Sequence, residues 1–282
     1  MKSYPFSAAR VFGTPLAIHA GRGRVIASAL AGRMGLAPTA MEDDGNELFS
    51  PPSGEPTYDV VRGIAMIQVA GTLVHKASWM DAMCGMRGYD AIRLDFLTAM
   101  NDSQVRGVCL AVDSGGGEVS GCFDLVDTIF KARGDKPIWA ILDDSAYSAA
   151  YAIASAADRV IVPRTGGTGS VGVIAMHFDE SKAMEGAGVA VTIIQYGDKK
   201  AHGNPFAPLG KEAAAAYQAD VDTMGDLFVS TVARNRKMSA ARVRATQAGT
   251  YMGAAGVGVG FADAVMAPDE AFRSMLAKVR KE

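Results

Sequence analysis

Three short segments of this chain carry residue types that together could perform acyl transfer. In Asp113-Ser114-Gly115-Gly116-Gly117-Glu118-Val119-Ser120-Gly121 the consecutive glycines let backbone N–H groups approach a ligand with no Cβ in the way, which suits a phosphate or an oxyanion. No Lys-Ser/Thr follows them and the GxGxxG spacing is absent, so neither nucleotide fingerprint fits, and a tight turn would use the same glycines. The second segment, Asp143 to Tyr151, passes from a strand-like to a helix-like run with Ser148 where the helix begins. A serine there is ordinarily an N-cap. Here only small residues surround it on the helix side, leaving room for a substrate carbonyl, and the N–H of Ala149 would point into the same space. A nucleophile at a helix start also gains from the positive end of the dipole. The third segment, Tyr196 to Phe206, holds Lys199 and Lys200. Loop lysines are ordinarily solvated charges, yet a lysine serves as a general base where burial favours its neutral form. Neighbours on extended chain face opposite ways, so at most one of the two enters a site.

These segments must be positioned by the elements between them. Strand-like runs at Ile64–Val69, Gly107–Val112, Pro137–Leu142, Arg159–Val162, Ser170–Met176 and Val189–Gln195 alternate with helix-like runs at Tyr89–Met100, Gly121–Arg133, Ser148–Ala157, Glu180–Gly186 and about Lys211–Lys237. Apolar strands such as Val108-Cys109-Leu110-Ala111-Val112 lack two-sided alternation, which predicts burial on both faces of a mostly parallel sheet. The fold class is α/β. Four segments are expected: an N-terminal helical segment over 1–36, a flexible acidic Pro/Gly linker over 37–57, the main domain over 58–268, and a C-terminal helix and tail over 269–282.

Composition narrows the classes. With 28 Lys+Arg against 30 Asp+Glu the net charge is −2, so nothing electrostatic calls for a nucleic-acid partner. At 49% apolar and 21% charged the 282 residues read as an ordinary globular chain. The 3 cysteines (Cys84, Cys109, Cys122) have neither CxxC nor metal-finger spacing, which suggests neither a disulfide framework nor structural zinc. No apolar run reaches the roughly 18 residues of a bilayer span, and Arg10, His19, Arg22 and Arg24 interrupt any signal-peptide core, so a cytoplasmic protein without a membrane anchor is expected.

In this order the three segments resemble the serine/lysine peptidases of the signal peptide peptidase A type, within the broader Clp protease/crotonase-like fold. Asp113-Ser114-Gly115-Gly116-Gly117 resembles that family's Ser-Pro-Gly-Gly oxyanion loop, with Gly115 where proline is usual. Ala146-Tyr147-Ser148-Ala149-Ala150-Tyr151 is similar to its nucleophile segment, and Thr168-Gly169-Ser170-Val171-Gly172-Val173 to the strand that follows. Gly197, Lys200, Gly203 and Pro205 match the loop bearing the general base, and Gly260-Phe261-Ala262-Asp263 the closing motif. The likeness spans about 58–268. Arg10-Val11-Phe12-Gly13-Thr14-Pro15-Leu16-Ala17-Ile18-His19, Val162-Pro163-Arg164-Thr165-Gly166-Gly167 and Gly203-Asn204-Pro205-Phe206 further resemble the tailed-phage capsid protease subgroup, that of minor capsid protein C.

The resemblance implies a serine endopeptidase acting on scaffold, coat or leader polypeptides, with Ser148 as nucleophile and Lys200 as base. The N–H groups of Gly116 or Gly117 and of Ala149 would form the oxyanion hole, and no cofactor or metal is called for. It also implies a homo-oligomer working in the host cytoplasm or the procapsid, with no membrane partner. Alternatives stay open: a cytosolic peptide-degrading protease of bacterial type, a Ser-His-Asp arrangement using His177, a crotonase-type acyl-CoA enzyme with Asp144 or Glu118 as carboxylate base, or a capsid component without activity.

Overall fold

The computed structural model describes residues 16–18, 57–77 and 85–280. Its centre is a mixed, mostly parallel sheet built around two long strands, β5 (Gly107–Glu118) and β6 (Ile138–Tyr147). Beside them lie β3 (Ile64–Val74) and β7 (Arg159–Val162), all four parallel. Shorter strands finish the sheet: β1 (Leu16–Ile18) on β5, β2 (Asp59–Val61) and β4 (Met86–Gly88) on β3, β8 (Gly167–Gly169) on β6, β9 (Thr250–Met252) on β8, and β10 (Ala264–Val265) on β7.

The continuous apolar runs are explained by what each face touches. Along β5, Val108, Leu110 and Val112 enter one core while Cys109 enters another; along β6, Ile138, Ala140 and Leu142 oppose Trp139 and Ile141 in the same way. This is the two-residue period of a strand with both sides covered. The first core is closed by α1 (Tyr89–Asn101), α2 (Cys122–Lys131), α3 (Ala149–Ser155) and α5 (Lys211–Arg236), through Ile92, Phe96, Leu125, Ile129, Ile153, Phe228 and Val232. The second is closed by α8 (Pro268–Val279), whose Ala271, Met275, Leu276 and Val279 pack on Ile64, Cys109, Trp139, Ile141 and Ile161. The C-terminal helix therefore supplies the second half of the core. Between these helices lie the short α4 (Ser181–Gly186), α6 (Ala240–Arg244) and α7 (Ala254–Val259).

Expectation and structure part company in four segments. The strand-like runs expected to end at Val112 and Leu142 instead continue, β5 through the glycines to Glu118 and β6 to Tyr147, so Asp113–Gly121 and Asp143–Tyr151 are largely strand. Among the described residues the strands expected at Ser170–Met176 and Val189–Gln195 do not form; the first holds one isolated bridge at Ile174 and the second belongs to no strand. Their β-branched composition favours a strand, but a strand also needs a neighbour along its length, and among the described residues no strand pairs with either segment. The expected N-terminal helical segment, apart from Leu16–Ile18, and most of the linker lie outside the described residues. Cys109 and Cys122 are free and buried, and burial pushes both thiols up to about 12, so neither is poised as a thiolate.

Candidate active site

The junction from β6 to α3 leaves a single residue, Ser148, to make the turn. Its backbone sits at φ 55° and ψ −123°, a conformation that costs a residue with a Cβ on the order of 1–3 kcal/mol and persists only where neighbours overdetermine it. The neighbours here are specific. The Ser148 N–H donates to the Gly169 carbonyl at 2.8 Å, and its own carbonyl accepts from the Ala152 N–H at 2.9 Å. At the far end of α3, Arg133 donates to the carbonyls of Ser155, Ala156 and Ala157, holding that short helix at both ends. The Ser148 side chain does not cap the helix. Its hydroxyl is fully buried and faces the Gly172 carbonyl at 3.4 Å, a long contact that leaves Oγ weakly engaged.

The glycine segment arrives beside it. A Cβ at Gly116, where φ is +101°, would come 3.0 Å from the Ser148 Cβ and from the Tyr147 carbonyl oxygen, and would overlap the Ala17 carbonyl oxygen. A Cβ at Gly117 would run into the Leu73 carbonyl. Glycine is thus required at both positions by close backbone approach. Ser114 organises the segment: its hydroxyl donates to the Gly71 carbonyl at 2.6 Å and accepts the Gly116 N–H at 3.1 Å. An oxyanion drawing on the Gly116 N–H would have to replace Ser114 Oγ as its acceptor. Downstream, the Tyr89 hydroxyl donates to the Glu118 carbonyl at 2.7 Å, and the Glu118 carboxylate takes the His75 N–H at 2.7 Å. Ala149 supplies the first N–H of α3, one of those a helix leaves without an intrahelical acceptor.

Ser148, Gly116 and Ala149 therefore meet, with Gly117 next along the same strand, and Lys200 does not join them. It sits in a turned segment where its N–H donates to the Gly197 carbonyl at 3.0 Å, on an exposed stretch beside Ile193, Ile194 and Tyr196. Among the described residues, no hydrogen bond or ion pair involves its ammonium. Lys199 faces Glu212 at 4.0 Å. His177 is tied through Nε2 to the Asn204 carbonyl at 3.0 Å, on that same stretch and not at Ser148.

Sequence reasoning missed two participants. Ser114 was read only as part of a glycine run, although a hydroxyl preceding backbone that must turn sharply is the usual signal of such a bond. The strand β1 was missed because three residues, Leu16-Ala17-Ile18, are too few to show a period. Among the described residues, no cluster of three His, Cys, Asp or Glu could hold a metal ion, and no helix is long and apolar enough to cross a membrane.

Comparison with known proteins bears on this geometry. The model of peptidase family S49 matches residues 131–281, a span that takes in Ser148 and Lys200 but not the glycine segment. The chain is similar to the head-tail preconnector protein GP5 of Enterobacteria phage P21, 36% identical over 95% of this chain and 56% of that one. It is also similar to the capsid assembly protease C of Escherichia phage lambda, 32% identical over 98% of this chain and 66% of that one. The chain thus spans between about half and two thirds of the length of these relatives. Among solved structures, a ClpP1 mutant from Listeria monocytogenes superposes with a TM-score of 0.45 at 11% identity, covering 75% of this chain and 94% of that one.

Proposed function

The chain belongs to peptidase family S49, and on that premise we propose that it is a serine endopeptidase of phage capsid maturation, acting through a Ser148/Lys200 dyad on scaffold, coat or leader polypeptides. The observation that carries the reading is the backbone of Ser148: a serine held at positive φ between a strand and a helix, unused as a cap, with a glycine strand against its Cβ. The Ser148 hydroxyl passes its proton to the neutral Lys200 amine as Oγ bonds to the peptide carbonyl carbon. The tetrahedral oxyanion is held by the N–H of Ala149 and that of Gly116 or Gly117. As the C–N bond breaks the lysine returns the proton to the leaving amine, and water then hydrolyses the Ser148 ester.

Lys200 reaches Ser148 in this reading from a second copy of the chain. The stretch that carries it exposes Val189, Val191, Ile193, Ile194 and Tyr196, the last two at 96% and 100%, an apolar surface suited to burial against another subunit. Burial there would strip water from the Lys200 amine, as a lysine base requires. The active form is accordingly a homo-oligomer in the host cytoplasm or procapsid. The likeness to the lambda protease supports the phage setting. Fluorophosphonate treatment followed by peptide mass mapping tests the core of the reading: the expected adduct is on Ser148, and an adduct elsewhere, or none in a protein that cleaves peptides, overturns it.

A further inference from the structure

The edge of β5 that faces Ser148 is already occupied. On one side β5 is paired by β3 as far as Gly117. On the other side β6 accompanies it only to Ser114, opposite Ala146, and then turns away at the Ser148 elbow. Beyond that point the 116–118 edge would stand open, and β1 fills it, running antiparallel with Leu16 opposite Glu118, Ala17 opposite Gly117 and Ile18 opposite Gly116. The fit is close. Ala17 is 1% exposed, and its carbonyl oxygen and the Ser148 Cβ both lie within 3.0 Å of the point where a Gly116 side chain would begin. The receiving edge is fixed in place by the Tyr89 and His75 bonds to Glu118.

An extended segment added antiparallel to a free strand edge beside a nucleophile is how a sheet takes up a peptide, with main-chain bonds giving affinity and side-chain pockets giving selectivity. The geometry points to Leu16-Ala17-Ile18 as a tethered occupant of the peptide-binding edge of this same chain, a built-in competitor that must leave before a substrate strand can dock. The occupant also reports what the edge accepts: an extended peptide with an alanine-sized side chain at the position beside Ser148. The inference rests on the reading of Ser148 as nucleophile, and its consequences are quantitative. If the tether holds the edge nine-tenths of the time, apparent affinity for any other peptide falls about tenfold, and an effective concentration in the millimolar range makes such occupancy easy to reach.

The test uses the full chain and separates docking from chemistry. In a Ser148→Ala background, a fluorescent hexapeptide of the sequence Thr14–His19 is titrated by anisotropy against the protein with and without Ala17→Asp, which places a charge in the buried β1 position. Dislodging β1 is expected to tighten peptide binding about tenfold or more, and hydrogen exchange at residues 116–118 should quicken in the variant and slow again when the peptide is added. The same peptide with tryptophan in place of its alanine should bind at least tenfold more weakly. Equal affinity for both proteins, or tight binding without protection at 116–118, overturns the proposal. Ile18→Pro, which removes one N–H from β1, serves if Ala17→Asp does not fold. With Ser148 intact, Ala17→Asp should lower KM and leave kcat unchanged. Should fluorophosphonate fail to label Ser148 while the binding results hold, the docking edge stands and the nucleophile assignment falls.

Discussion

Around Ser148 the side chains and backbone are buried and bonded within the chain, whereas the segment that carries Lys200 makes local backbone bonds but leaves large apolar side chains in solvent. The serine, its flanking strands and α3 are buried, the elbow is held by the carbonyl of Gly169 and the N–H of Ala152, and the glycine strand is bolted to Gly71 through Ser114 and to Tyr89 through the Glu118 carbonyl. From Ile174 to Tyr196 the chain instead presents Ile174, Phe178, Val189, Val191, Ile193, Ile194 and Tyr196 to solvent, and among the described residues no strand pairs along Val189–Gln195. A polypeptide does not ordinarily leave that much contiguous apolar surface uncovered. The difference teaches that the surroundings of Ser148 are completed within one chain, while the segment that carries Lys200 keeps apolar side chains in solvent.

The largest effects should fall on the two residues proposed as the dyad. Ser148→Ala and Lys200→Ala are each expected to lower peptidase kcat by about 10⁴-fold or more, as removal of members of one catalytic unit does, with little change in melting temperature. Ser145→Ala, Lys199→Ala and His177→Ala should retain most activity. Mixing the two dead proteins under subunit exchange then probes the contrast directly. If the dyad forms between copies, about a quarter of the sites in an equal mixture regain both groups; a mixture that stays inactive after exchange is verified would place the dyad within one chain.

How much of this was legible in the sequence follows from where each signal resides. The buried strands and their alternation with helices could be read, because a strand covered on both faces must be apolar throughout, as Val108–Val112 and Ile138–Leu142 are. Ser148 and the glycines could be read from their company: a serine at a strand-to-helix junction among small residues, and glycines where backbones approach closely. What escaped depends on contacts remote in the chain. That the glycines continue a strand is decided by β3 and β1 pairing along them, and that Val189–Gln195 stays unpaired is decided by the lack of a neighbour. Neither fact is written in the local pattern.

Intermediate effects should come from the surfaces on which each half depends. Gly116→Ala would drive a methyl group against Ser148, Tyr147 and Ala17 and displace the N–H groups of this strand, with an expected loss of about 10²–10³ in kcat, the range for one oxyanion donor. Ile194→Asp lies at the other pole. At 96% exposure in the single chain, it should change monomer stability by less than about 0.5 kcal/mol. It should nevertheless shift the sedimentation profile toward smaller species and make specific activity rise with protein concentration. An Ile194→Asp protein with undiminished assembly and activity would remove the apolar stretch from the argument.

The smallest effect concerns charge, and it again divides the two regions. Asp263, in the body, has its carboxylate partly buried, which alone would raise its pKa. The hydrogen bonds from Arg236 at 2.8 and 3.0 Å and from the Val160 N–H at 2.7 Å outweigh that and hold it below the ordinary carboxylate value. A folded-state pKa below the unfolded one means stability present above the unfolded value of about 3.9 and lost as pH falls through the folded value. Asp263→Asn should therefore cost about 1–3 kcal/mol at pH 7, since it weakens charge-assisted bonds that tie the 260–263 turn to β7 and α5. Urea unfolding repeated at pH 3 should show the gap to wild type narrowing, because the native carboxylate is then losing its own advantage. The pair Lys199–Glu212, with both side chains more than 70% exposed, provides the contrast: Lys199→Ala should leave stability unchanged at either pH. A gap for Asp263→Asn that stays constant with pH would mean that the substitution acts through packing, and the electrostatic distinction between body and lysine segment would then lose its support.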